Sequence, residues 1–146
     1  MDDSAAGAQL EKVKLWWDQL NATGPAYGYF PNGAKTWLVV KPHVEAKAQE
    51  LFGSAAVNIT VEGRPYLGGA VGESGFVTRF VQQKVSGWVA EVMKLSQVAV
   101  TQPHAAFAAF THGISSKWTY LSRTIPGIST LLQPLEDVVR EHLLSS

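Results

Sequence analysis

A chain of 146 residues, 46% hydrophobic and only 16% charged, is long enough for one domain and too apolar and weakly charged for intrinsic disorder. Its 12 basic residues balance 12 acidic ones, which excludes a polycation that holds nucleic acid through bulk charge. With no cysteine, a disulfide framework, a thiolate metal site and a cysteine nucleophile are excluded as well. No apolar run approaches the ~20 residues of a membrane span. The acidic start Met1-Asp2-Asp3 has no apolar segment of the kind a secretory signal needs, so no membrane partner is expected.

In chain order, Leu10, Val13, Trp17 and Leu20 recur three or four residues apart and predict a helix over 8–22. Gly24-Pro25, Gly28 and Pro31-Asn32-Gly33 punctuate a loop. Thr36 to Val40 is a β-branched and aromatic run, hence a strand, and 43–52 reads as a short helix stopped by Gly53. Val57, Ile59 and Val61 alternate with polar residues, the period of a half-buried strand. Glu62-Gly63-Arg64-Pro65 reads as a turn, after which Tyr66 to Val71 returns as a second strand to close a hairpin.

From Ser74, the expected N-cap, Val77, Val81, Val85, Trp88, Val92, Leu95 and Ala99 make one apolar stripe on a long helix. Gln102-Pro103 breaks it and starts another helix, whose stripe is Phe107, Phe110, Ile114, Trp118 and Leu121. Ile125-Pro126-Gly127 is a turn, and 131–144 is a last helix restarted at Pro134. A small α/β portion over 1–72 followed by a helical portion over 73–146 gives an α+β fold class.

Taken singly, the residues able to carry chemistry are ambiguous. Asp2 and Asp3 are adjacent carboxylates of the kind that hold magnesium, and they are equally an ordinary solvated terminus. Lys35, between a turn and a strand, suits a proton or charge donor to phosphate, and also a surface lysine. Gly68 and Gly69 in a strand mark either a close backbone approach or a bulge. His43, His104, His112 and His142 have no metal-ligand spacing, and no nucleophile elbow, P-loop or dinucleotide fingerprint is present. The aromatic stripe of Trp88, Phe107, Phe110 and Trp118 suits base stacking, but at helical spacing it reads as core.

Their order is more informative. Asp2-Asp3, a helix ending near Leu20, then Asn32, Lys35 and Thr36 before a strand, then a hairpin with Tyr66-Leu67-Gly68, and then helices: this series resembles the palm and thumb of retroelement reverse transcriptases. Trp118-Thr119-Tyr120 and Pro134-Leu135-Glu136 are similar to segments of retroelement polyproteins. The resemblance implies a partial polymerase palm over 1–72 and a thumb-like bundle over 73–146.

It further implies RNA-directed DNA synthesis with Mg2+ as cofactor, and template–primer and deoxynucleotides as partners. Asp2 and Asp3 would be metal-binding catalytic residues. Lys35 would protonate or neutralise the departing pyrophosphate, and Tyr66, Leu67, Gly68 and Gly69 would form the primer grip. The family carries an aromatic residue and one further residue before Asp-Asp, and its fingers and other catalytic aspartate lie upstream. The 146-residue chain is therefore expected to be inactive alone, a fragment of an intracellular protein, cytoplasmic or nuclear. The alternative expectation is a non-enzymatic helical interaction module, suggested by the five tryptophans and the low surface charge. A small hydrolase built on Asp2, Asp3 and a histidine is the weakest of the three, because no nucleophile is organised around them.

Overall fold

The computed structural model describes residues 4–144, so Asp2 and Asp3 lie outside the described residues. The chain is mainly helical with four short strands among the described residues, as in an α+β fold. None of the described helices is long and apolar enough to cross a membrane. Internal contacts divide the chain into two compact units, residues 1–64 and residues 65–146, with the division inside the third strand.

In the first unit, helix α1 (Leu10–Thr23) turns the predicted stripe inward. Trp17 is buried, and Leu10, Val13 and Leu20 are half-buried. Leu15, off the stripe, is exposed. Strand β1 (Trp37–Val39) lies parallel to β2 (Asn58–Thr60), pairing Trp37 with Asn58, Leu38 with Ile59 and Val39 with Thr60. Parallel strands need a crossover rather than a tight turn, and helix α2 (Glu45–Phe52) supplies it, burying Ala48 and Phe52. Lys47 on α2 forms an ion pair and hydrogen bond with Glu11 on α1. The hydrogen bond from Lys47 is the main reason the Glu11 carboxyl sits below its usual range, with its own backbone N–H and the Lys47 charge adding to it.

The hairpin differs from the sequence reading. Glu62-Gly63-Arg64-Pro65 is not the turn: β3 runs Gly63–Tyr66 and pairs with β4 (Gly69–Gly72), and the turn is Leu67-Gly68. Both turn residues have left-handed backbone, with φ of 47° at Leu67 and 81° at Gly68, the arrangement a two-residue hairpin turn requires. Gly63 and Pro65 read as breakers in sequence. Pro65, however, sits in a two-stranded ladder, where each strand has a free side and a missing N–H is tolerated. β2 is consequently free to pair with β1 instead.

The second unit is organised on α3 (Ser74–Ala99), whose stripe buries Val81, Val85, Trp88 and Val92. Ser74 is the first helical residue and not the N-cap: Glu73 occupies that position in extended backbone, without a capping side-chain bond. Helix α4 (Pro103–Ala109) starts at Pro103 as expected. It passes through a wide π-turn at Phe110–Ile114 into α5 (Ser115–Thr124). That turn breaks the predicted stripe, because i→i+5 bonding shifts the phase of everything beyond it. Leu121 is buried, Phe110, Ile114 and Trp118 are half-buried, and Phe107 is exposed while Ala106 takes the interior position.

After Ile125-Pro126-Gly127, a 3₁₀ turn at Ser129–Leu132 leads to α6 (Gln133–Val138) and a second π-turn at Val139–Leu143. Leu121, Ile125, Ile128, Leu135 and Val138 close over the α3 stripe. The Trp88 and Trp118 rings lie 6.3 Å apart and tilted, and Lys117 reaches Glu91 across α5 and α3 at 2.6 Å.

The two units differ in how much they bury. In the first, the buried apolar side chains are Trp17, Ala48 and Phe52, while Tyr27, Phe30 and Trp37 are exposed. Three-residue paired strands are marginal by themselves. We therefore expect native-state hydrogen exchange to show the β1/β2 amides exchanging at least tenfold faster than those of Val81 to Val92. Equal protection in the two segments would contradict this.

Candidate functional site

Lys35 is exposed at the end of a single 3₁₀ turn, Gly33–Lys35, that leads into β1. The turn is held from several directions. The Lys35 N–H donates to the Asn32 carbonyl at 3.1 Å and to Asn32 Oδ1 at 3.3 Å, and the Thr36 hydroxyl donates to the Asn32 carbonyl at 2.8 Å. From β2, Asn58 Nδ2 donates to the carbonyls of Ala34 (2.8 Å) and Thr36 (3.2 Å). A Cβ on Gly33 would stand 2.5 Å from the Ala55 carbonyl oxygen, so only glycine lets the turn approach the backbone before β2. Lys35 thus projects from a fixed base into solvent and has no ion-pair partner among the described residues.

Beside it in sequence, Trp37 on β1 carries the Arg64 guanidinium 3.7 Å above its ring centre. Such a stack covers an exposed indole and orients the guanidinium.

In the second unit, the hairpin tip presents Tyr66 and Leu67 to solvent, 41% and 62% exposed. Its backbone is seated on α5. The Tyr120 hydroxyl donates to the Leu67 carbonyl. A Cβ on Gly68 would lie 3.3 Å from Cε1 of the Tyr120 ring, and one on the buried Gly69 would lie 3.5 Å from Thr124 Oγ1. The close approach that the two glycines signal is therefore made, within this chain, to Tyr120 and Thr124. In sequence the glycines leave a close approach and a bulge equally open. They do not name a tyrosine 53 residues along the chain.

Lys35 belongs to the first unit and Tyr66 to Gly69 to the second. Among the described residues, no group of three His, Cys, Asp or Glu side chains is arranged to hold a metal ion. Of the aromatic residues weighed for stacking, Trp88 is buried in the core and Trp118 packs against it and against Phe110, 5.8 Å from the latter, whereas Phe107 is 66% exposed and does not take the core place its spacing predicted. Phe110 and Trp118, with Leu132, Leu135, Glu136 and Val139, also line a shallow apolar cleft of about 210 Å³. That is below the usual size of a small-molecule site.

Compared with known proteins, the chain matches no family model, no curated protein and no solved structure.

Proposed function

We propose that this chain is the rear of a reverse transcriptase palm together with its thumb, and that it works within a longer protein that synthesises DNA on an RNA template. The observation that carries the reading is the hairpin tip: Leu67 on the two-residue turn and Tyr66 at the end of β3 stand exposed, and the strand that follows leads into the 26-residue helix α3. A tip whose backbone is seated on α5 and whose exposed side chains are largely apolar suits a surface against which a primer terminus rests. Lys35, solvent-facing on a turn tied to both Asn32 and Asn58, suits a group that meets a leaving pyrophosphate.

Two magnesium ions would supply stabilisation of the attacking and leaving oxygens. The residues that the resemblance assigns to them, Asp2 and Asp3, are an incomplete ligand set, so the remaining carboxylates come from elsewhere in the longer protein. The test is primer extension on an RNA template with magnesium and deoxynucleotides. A chain extended upstream to include the rest of the palm is expected to add nucleotides, and the 146-residue chain alone to add none. An extended reading frame without a carboxylate-bearing palm, or one that folds and adds nothing, would refute the reading.

A second reading, the helical interaction module, draws on the corner between α3 and α4, where Val98, Val100 and Phe107 are 43%, 74% and 66% exposed. Light scattering that finds a monodisperse monomer at high concentration would count against self-association through this corner.

A further inference from the structure

We infer that Tyr120 is the positioning residue of the hairpin tip, an inference that rests on the reading of Tyr66 to Gly69 as the surface that meets a primer. Three observations converge on it. Leu67 has a φ of 47° although it is not glycine, a backbone state that costs a leucine free energy and persists only where its surroundings over-determine it. The Tyr120 hydroxyl donates to the carbonyl of that same residue. The Tyr120 ring lies against the Cα of Gly68, where a Cβ would stand 3.3 Å from Cε1.

The hydrogen bond fixes the Leu67 peptide plane, and the ring fixes the height of the turn above α5. Together they determine where the exposed side chains of Tyr66 and Leu67 point. α5 is itself anchored, since Leu121, the next residue along, is 1% exposed in the core. The tip is thereby referred to α5 through Tyr120, with Thr124 beside Gly69 at the start of β4. Tyr120 touches no reacting group and acts only through the turn.

Tyr120→Phe keeps the ring against Gly68 and removes the donor, so it isolates the hydrogen bond. In the 146-residue chain we expect amide exchange at Gly69, the first residue of β4, to quicken about fivefold, the worth of one neutral hydrogen bond. Exchange at Val81 to Val92 should stay unchanged. In the extended polymerase, the same variant is expected to raise KM for template–primer about fivefold and to leave KM for the deoxynucleotide where it was. A merely structural loss would lower the active fraction, and hence kcat, without moving one KM against the other. Leu67→Gly, which adopts the left-handed turn without strain, is expected to retain the hydrogen bond and to shrink the exchange effect of Tyr120→Phe when the two are combined.

Unchanged exchange at the tip in Tyr120→Phe overturns the inference. So does a looser tip with an unchanged template–primer KM. An extended chain in which even the parent sequence adds no nucleotide refutes the proposed function instead, and the exchange result still decides whether Tyr120 holds the turn.

Discussion

Replacing Lys35 by alanine in the extended polymerase is expected to slow nucleotide addition about a hundredfold or more, the lower end of what a positioned general acid contributes. Stability should hardly change. The Lys35 side chain is exposed and has no ion-pair partner among the described residues. What orders the turn is its backbone N–H, held by Asn32, together with the Asn58 side chain, and both survive the substitution. The variant should therefore melt like the parent while single-turnover incorporation falls.

Lys35→Arg separates the two roles open to the ammonium group. Arginine keeps the positive charge but does not give up a proton at neutral pH. A rate restored by arginine assigns the effect to charge on the pyrophosphate, and a rate still depressed assigns it to proton transfer. Lys35→Ala with unchanged incorporation would remove Lys35 from the chemistry altogether.

Leu121→Ala is expected to cost about 2–5 kcal/mol of folding stability, the range for deleting a well-packed leucine side chain. Leu121 is 1% exposed and belongs to the cluster with Val81, Val85, Trp88 and Val92 on α3. The cavity would open where α5 meets that helix, and the neighbouring Trp118 ring is already engaged with both Trp88 and Phe110, which limits collapse into the space. Against total stabilities of about 5–15 kcal/mol, such a loss is a large fraction of the whole. Urea unfolding monitored by circular dichroism reads it directly. Val100→Ala, at a position 74% exposed, is the control and should fall within about 0.5 kcal/mol of the parent. A Leu121→Ala protein as stable as the control would mean that α5 does not contribute to the core in this way.

Periodicity made the long elements legible in the sequence. The α1 stripe with Trp17 and the α3 stripe with Val81, Val85, Trp88 and Val92 face inward as their spacing demands, because a repeat of three and four on a helix leaves little choice of face. The stop after Thr23 and the restart at Pro103 followed from glycine and proline chemistry, which is local. The strand pairing was not legible. β2 has the alternation of a strand whichever partner it takes, and its parallel pairing to β1 requires the α2 crossover between them, a relation between residues some twenty apart. The π-turn at Phe110–Ile114 was equally hidden: one stripe drawn through Phe107 and Leu121 assumes a constant turn, and an i→i+5 segment violates that assumption without any residue that announces it.

The candidate site divides the same way. By itself the sequence determined that Lys35 follows a glycine-bearing turn into a strand, that Gly68 and Gly69 mark either a close approach or a bulge, and that α3 has a continuous apolar face. These are properties of short stretches, written in backbone freedom and in the spacing of apolar side chains. Only the tertiary structure decided that the hairpin turns at Leu67-Gly68, that β1 and β2 run parallel, and that Tyr120 and Thr124 fill the space the glycines leave. Each of those outcomes sets residues far apart in sequence against one another, and such contacts are chosen by packing and hydrogen-bond satisfaction over a whole unit, which no local pattern encodes.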